Sequence, residues 1–313
     1  MNNIKLTKKA QELLLQSDEE RIKYILEDRW INYPIAQNIL DKLEDIFKYQ
    51  KNKTRVTSML VVGSSNNGKT SLLEEFKRRH LNYEIFNEKN EDETTNDFTE
   101  LYDATGIPVL YLQAPTEPSE SRLYDNIFSS IDTTVKKSEN ISRKQYLVEY
   151  YMKLLNVEMI IIDEIHNILS GSIAKQKQTM NAIKNLSNQL KIPIVLAGIK
   201  DSLRAISTDT QISSRFRPVY LTKWRLDKEY ISLLATFLST LPLKKESNIL
   251  NPDVALKILD ISEGYIGDII GILKQSAVYA INTQSERITI NEIRECGYIS
   301  MSQVHKESIL KDV

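Results

Sequence analysis

Cysteine is nearly absent from this sequence. Cys296 stands alone among 313 residues, which excludes an intramolecular disulfide framework and makes a reducing, cytoplasmic setting the expected one. Histidine is scarce too: His80, His166 and His305 are scattered, and with one cysteine they give no cluster at metal-ligand spacing. No apolar run approaches membrane-spanning length, and "MNNIKLTKKAQELLLQ" lacks the apolar core and cleavage site of a secretory leader, so no membrane partner is expected. Neither sign of charge dominates. The 41 Lys and Arg against 42 Asp and Glu leave a net charge of −1, which argues against a globally basic nucleic-acid binder and requires any DNA contact to come from a local patch. Internal repeats and low-complexity tracts are also missing.

What remains is ordinary: 41% hydrophobic and 27% charged residues, in a length that suits one large domain and a smaller one. Within it, "VVGSSNNGKTSLL" (61–73) stands out. Gly63, Ser64, Ser65, Asn66, Asn67, Gly68, Lys69 and Thr70 fit the phosphate-loop pattern of glycine, four residues, then Gly-Lys-Ser/Thr, with Ser71 following. Small residues let the backbone turn its N–H groups toward a triphosphate, and the next helix aims its positive dipole end at the same point. Lys69 suits the β- and γ-phosphates of ATP, and the Thr70 hydroxyl suits Mg²⁺. The flanks agree: "TSMLVVG" (57–63) reads as a buried strand and "KTSLLEEFKRR" (69–79) as a helix. A Gly/Asn-rich turn between two ordinary elements is the competing interpretation.

Residues 1–50 carry apolar positions at helical spacing, with Pro34 near a helix start, and "KNKTR" (51–55) links them to the first strand. Residues 82–106 are acidic and polar and read as a surface excursion. Further strands are expected at 107–114, 157–164, 192–198 and 217–222, with the stretch 115–131 turning into a helix and further helices from Tyr146 and at 174–190. Strands alternating with helices predict a mostly parallel sheet covered on both faces. From about residue 227 the pattern is helical only, and Asn251 before Pro252 is a helix start. The expected organisation is an N-terminal helical segment (1–55), an α/β nucleotide-binding core (56–225), and a helical lid domain with its tail (226–313).

The strand "MIIIDE" ends in Asp163 and Glu164. Downstream of a phosphate loop, an acid at such a strand end holds the water shell of Mg²⁺, and the adjacent acid orients or deprotonates an attacking water. An activated water argues against a small-molecule kinase. In "ISSRFRPVY", Arg215 is a candidate to reach a γ-phosphate across a subunit boundary, ahead of Arg217; a surface salt bridge is the alternative.

Taken together these segments resemble an AAA+ ATPase, and more narrowly the TniB/TnsC family of transposition ATPases. "RWINYPIAQNILDKLEDIF" (29–47) is similar to the family's N-terminal signature, and "MLVVGSSNNGKTSLLEEF" (59–76) to its phosphate loop. "IIIDEIHNILSGSIAKQKQTMNAIKNLSNQLKIPIVLAG" (160–198) and "LRAISTDTQISSRFRPVYLTKW" (203–224) carry the rest of a resemblance that covers roughly residues 28–285. It implies an AAA+ core with a helical lid, ATP and Mg²⁺ as cofactors, and assembly with copies of itself as rings or filaments on double-stranded DNA. It also implies partnership with a transposase and a TniQ-type target-selection protein, with hydrolysis driving disassembly. By the same analogy DNA contacts fall between the second strand and Asp163, where Arg122, Lys136, Lys137, Arg143 and Lys144 are the candidates. Trp30 and Tyr33 are expected to pack the N-terminal helices onto the core, a subunit or partner contact being the role the resemblance implies, and His166 is expected to be a structural residue at a helix start rather than a catalytic base.

The chain departs from AAA+ expectation twice. Ile199 stands where a polar residue past the fourth strand is usual, and Gly267 where a lid arginine is often found, which implies slow, partner-raised hydrolysis. A replication initiator or helicase loader would share the loop, acids and arginine but would lack "RWINYP" and "DEIHNILSG" and often carries a terminal helix-turn-helix, of which none is clear after residue 285. A DNA-independent signalling NTPase switch usually carries long sensor repeats, which this sequence lacks.

Overall fold

The computed structural model describes residues 5–85, 104–207, 210–301 and 303–304. From the N-terminus, helices α1 (Lys8–Leu13), α2 (Asp18–Leu26) and α3 (Pro34–Tyr49) precede strand β1 (Ser58–Gly63) and helix α4 (Lys69–Arg79). Two short strands follow, β2 (Tyr83–Ile85) and β3 (Ala104–Gly106), then β4 (Val109–Gln113), α5 (Glu120–Ser130), α6 (Ile141–Leu154) and β5 (Met159–Asp163). A 3-10 turn (Ile165–Ser170) leads to α7 (Ile173–Leu190), β6 (Ile194–Gly198), α8 (Ser202–Ser207), α9 (Thr210–Ser213) and β7 (Phe216–Leu221). The remainder is helical: α10 (Lys228–Leu238), α11 (Pro252–Ser262), α12 (Ile266–Asn282) and α13 (Ile290–Glu295).

The chain divides into two compact units, one of residues 38–64 and 69–221, the other of residues 1–37, 65–68 and 222–313. In the first, five parallel strands pair in the order β4-β5-β6-β1-β7. Their sequences, such as "SMLVVG" and "MIIID", are continuous apolar runs because both faces of a parallel sheet are covered. Alternation sorts the side chains. Leu60, Val62, Ile160, Ile162 and Leu196 share a core with residues of α5, α6 and α7, including Leu123, Phe128, Met152 and Leu186. The alternate positions meet α4, whose Leu72, Leu73 and Phe76 are fully buried. Each such aliphatic burial contributes about 1.5–3 kcal/mol. The end of α3 joins here, with Phe47 stacking edge-on to Phe76 at 6.2 Å.

The expected strands and the loop helix are present, with ends displaced by one or two residues. Helix α6 starts at Ile141, five residues before the expected "YLVEYY" start, because Asn140 caps it by accepting the Arg143 N–H at 2.8 Å. The acidic stretch lies largely outside the described residues, at 86–103, and so does His305. Its two flanks pair as the antiparallel ladder β2-β3, where the Tyr83 ring occupies the space a β-carbon on Gly106 would need.

The second unit is helical. Helix α12 packs on α2, α11 and α13, and its apolar face (Ile266, Ile269, Ile272, Leu273, Ala277) is buried. Arg21 on α2 is fully buried: its guanidinium donates to the Pro242 carbonyl at 2.7 and 3.0 Å, to Asp18 at 2.8 Å, and to both carboxylate oxygens of Glu286. Tyr33 stacks edge-on to Trp224 at 5.4 Å and lies 6.1 Å from Trp30, so these aromatics pack the N-terminal segment in this unit.

Candidate nucleotide site

The phosphate loop joins β1 to α4. Asn66 and Gly68 adopt left-handed backbone angles, φ +61° and +77°, which asparagine and glycine accept at least cost. Gly63 meets β7 closely: a β-carbon there would lie 3.2 Å from Leu221. Lys69, the first residue of α4, is buried, and its ammonium donates to the carbonyls of Gly63 and Ser64 at 3.0 Å each. Burial lowers its pKa, and the nearby Glu164 and Asp163 carboxylates oppose that shift.

Asp163 ends β5 and is 1% exposed. Thr70 donates its hydroxyl to Asp163 Oδ2 at 2.7 Å, Tyr111 donates to the same oxygen at 2.8 Å, and the Glu164 N–H donates to Oδ1 at 2.7 Å. Glu164 itself sits at φ +56°, a conformation uncommon outside glycine, where the strand gives way to the 3-10 turn. Glu164 is 37% exposed at its side chain and lies 3.1 Å from His166 Nε2. The site therefore sets a hydroxyl and a carboxylate oxygen together, with a second, accessible carboxylate one residue on. A hydroxyl with a carboxylate is the donor chemistry Mg²⁺ takes when phosphates and water complete its shell. Among the described residues no group of three or more His, Cys, Asp or Glu could hold a metal by itself.

Tyr111 is not among the sequence candidates. Burial first, then its bond to Asp163, pushes its hydroxyl pKa well above the ordinary tyrosine value, so it remains a donor. The available signal is a lone polar-tipped residue in the otherwise aliphatic "VLYL".

Arg215 immediately precedes β7, whose first residue pairs with Ser58 at the start of β1. The loop leaves the other end of β1, five residues on, roughly 17 Å along the strand at its ordinary rise. Arg215 is half-buried and donates to Asn188 of α7; Arg217 is exposed. Ile199 follows β6 directly and is half-buried. Gly267, at the second position of α12, donates its N–H to the Asn66 carbonyl at 3.1 Å, and a β-carbon on it would stand 1.7 Å from Asn66 Oδ1. Asn66 and Gly267 belong to the same helical unit.

The basic candidates are not brought together as one set. Lys136, Lys137 and Arg143 are exposed, and Arg143 lies over the Tyr146 ring at 5.1 Å. Arg122 pairs with Glu117 at 3.0 Å. Lys144 requires correction: its side chain is fully buried, bonded to Asp125 at 2.6 Å and Ser121 at 3.0 Å, and so ties α6 to α5 rather than facing a phosphate.

The sheet order, phosphate loop and strand-end acids define an AAA+ ATPase fold. Three solved structures are similar to it: the Aeropyrum pernix ORC2 protein in its ADPNP-ADP complexes (TM-score 0.60, 12% identity, covering 88% of this chain and 70% of that one), the A. pernix ORC1 protein in complex with DNA (0.59, 13%, 88% and 68%), and Cdc6p from Pyrobaculum aerophilum (0.58, 14%, 87% and 69%). At these identities the likeness is one of fold. No curated protein matches the chain. Residues 21–226 match the family described as bacterial TniB protein, and the chain belongs to that family.

Proposed function

We propose that this chain is an ATP-dependent regulator of transposition. It assembles with copies of itself on double-stranded DNA, links a TniQ-type target-selection protein to the transposase, and disassembles as ATP is hydrolysed, in the DNA-associated cytoplasm. The observation that carries the ATPase reading is the Thr70–Asp163 contact with Glu164 beside it. Membership of the TniB family supports the transposition setting.

Residues 63–71 cradle the triphosphate, with backbone N–H groups and the Lys69 ammonium on its oxygens. Thr70 and Asp163 would hold Mg²⁺, whose positive charge would offset the negative charge of the triphosphate. Glu164 orients the attacking water and takes its proton. Arg215, roughly a strand length from its own loop, serves the γ-phosphate of a neighbouring copy, so a complete site requires assembly. Ile199 and Gly267 withhold two usual polar groups, which fits slow basal turnover raised by partners. Arg122, Lys136, Lys137 and Arg143 supply phosphate contacts that are salt-sensitive and sequence-tolerant.

Electron microscopy of the purified chain with duplex DNA tests this reading, comparing a slowly hydrolysed ATP analogue, ADP and no nucleotide, with Lys69→Ala alongside. Rings or filaments only with the triphosphate, and none with the variant, are expected. Absence of DNA-dependent assembly in every condition would defeat the DNA part and leave the ATPase part to be judged by phosphate release.

A further inference from the structure

The first turn of α12 carries an acid put to an unusual use. Asp268 is the third residue of the helix, a position whose acid ordinarily reaches back to the N-cap backbone. Instead Tyr298 donates its hydroxyl to Asp268 Oδ1 at 2.7 Å, and the Met301 N–H donates to the same oxygen at 3.3 Å. Asp268 is 1% exposed. The Tyr298 ring is seated over Gly271, where a β-carbon would lie 2.4 Å from Cε2, so the seat exists because that residue is glycine. Past it a helical turn begins, with Ser300 N–H donating to Gln303 Oε1 and Val304 N–H to the Ser300 carbonyl, each at 3.0 Å. The segment from Tyr298 is thus fastened to the start of α12 through one carboxylate.

One residue earlier, the same turn holds the phosphate loop. Tyr265, the N-cap, offers no side-chain hydrogen bond to the helix. The Gly267 N–H, one of the donors a helix start leaves without an intrahelical partner, is taken by the Asn66 carbonyl at 3.1 Å. Ile266 Cγ2 lies 3.3 Å from where a β-carbon on Gly68 would stand. Asn66 and Gly68 are the two loop residues in left-handed conformations, which asparagine and glycine accept readily but do not adopt to the exclusion of others. Residues 266 and 267, with the Tyr33 hydroxyl, are the neighbours that select these conformations, and the next residue is anchored by the C-terminal segment.

We propose that Asp268 is a positioning residue for the phosphate loop: by joining Tyr298 and Met301 to the first turn of α12, it holds the Gly267 N–H on the Asn66 carbonyl and sets the loop in its nucleotide-binding form. Residues 266–268 form less than one helical turn and move as a unit, so an anchor on the third is felt by the second. Helix ends fray unless tied, and a frayed first turn releases the loop. The affinity of a site populated only part of the time falls by that fraction. The proposal rests on the reading that residues 63–70 bind nucleotide.

The test uses the full chain and Tyr298→Phe, Asp268→Ala and Asp268→Asn, with titration of a slowly hydrolysed ATP analogue in Mg²⁺ and melting temperature without nucleotide. Tyr298→Phe keeps the ring over Gly271 and removes only the hydroxyl. It is expected to weaken analogue binding about fivefold, a larger loss than the modest fall in nucleotide-free melting temperature from one missing hydrogen bond accounts for. Asp268→Ala should weaken binding about tenfold, and Asp268→Asn, which still accepts both hydrogen bonds, should stay within about twofold of the parent. Tyr298→Phe binding as tightly as the parent would overturn the proposal, as would an affinity loss matched throughout by a fall in nucleotide-free stability. Failure of the underlying reading looks different: the parent itself would not bind the analogue and would match Lys69→Ala, and the proposal would fall with it.

Discussion

Thr70 donates its hydroxyl to Asp163 across 2.7 Å, joining the first turn of α4 to the end of β5. The two oxygens that suit Mg²⁺ are already neighbours. Thr70→Ala is expected to lower the Mg²⁺-dependent part of ATP-analogue binding by roughly tenfold or more, while Thr70→Ser retains it. Titration of analogue with and without Mg²⁺ decides the matter, and an equal loss in both arms would refute the assignment.

Glu164 follows Asp163 at the strand end and its side chain is accessible, so its replacement should spare binding and cost chemistry. Glu164→Gln is expected to lower phosphate release by about 10²- to 10⁴-fold with analogue affinity near that of the parent. Asp163→Asn should depress both. A Glu164→Gln protein that hydrolyses normally would remove this residue from the chemistry.

Arg215 lies at the far end of β1 and β7 from its own loop, which gives its loss a signature in mixtures. Arg215→Ala and Lys69→Ala should each be nearly inactive alone, with Arg215→Ala down about 10³-fold or more. Mixed, they form sites with an intact loop from one copy and an intact arginine from the next, and activity should return in part. Mixtures no more active than either variant would place Arg215 outside the site.

Lys144 and the exposed lysines should separate cleanly. Lys144→Ala removes a buried side chain and its bonds to the part-exposed Asp125 and to Ser121, and is expected to cost about 1–2 kcal/mol of stability with no change in the salt dependence of DNA binding. Lys136→Ala and Lys137→Ala should leave stability unchanged and each flatten the salt slope by about one. Urea unfolding and DNA titrations at several salt concentrations read the two effects separately.

The buried pair of Arg21 and Glu286 sets an acid limit. Burial alone would raise the Glu286 pKa, but the Arg21 hydrogen bonds, the Lys244 N–H and the two cationic charges outweigh it and hold the carboxyl below its ordinary value. A carboxylate that binds its proton less readily when folded stabilises the fold fully above its unfolded pKa, about 4.3. That contribution drains away as pH falls through the lower folded value. The unfolding free energy of the parent, followed by urea titration from pH 6 downward, should therefore fall across that window. In Glu286→Gln it should start about 3–5 kcal/mol lower, because Arg21 is left buried without its charge partner, and should then change less with acid. An equal acid dependence in the two proteins would show that other carboxylates set the limit.

Local rules make much of this molecule legible. The phosphate loop is readable because glycines, lysine and threonine at fixed spacing between an apolar strand and a helix leave few other uses. Asp163 and Glu164 are readable because they interrupt an aliphatic strand at its end. Parallel strands buried on both faces announce themselves as runs such as "MIIID". The start of α6 differs from expectation because one capping side chain, Asn140, outweighs a polar stretch without clear periodicity. Lys144 differs because a basic residue in a basic stretch looks exposed, and only the position of Asp125 on α5 reveals its partner.

Element types, nucleotide chemistry and family all follow from residues close together in the chain, or from a recognisable order of motifs. Packing alone makes Tyr111 share Asp163 with Thr70, brings Arg21 to Glu286, and sets Gly267 on Asn66 while Asp268 holds Tyr298. These are meetings of residues up to 265 positions apart, or of groups whose partners lie on other elements. Hydrophobic periodicity says which face of a helix is buried. The packing of one element on another fixes which polar groups end up within about 3 Å of each other, and no local pattern encodes that distance.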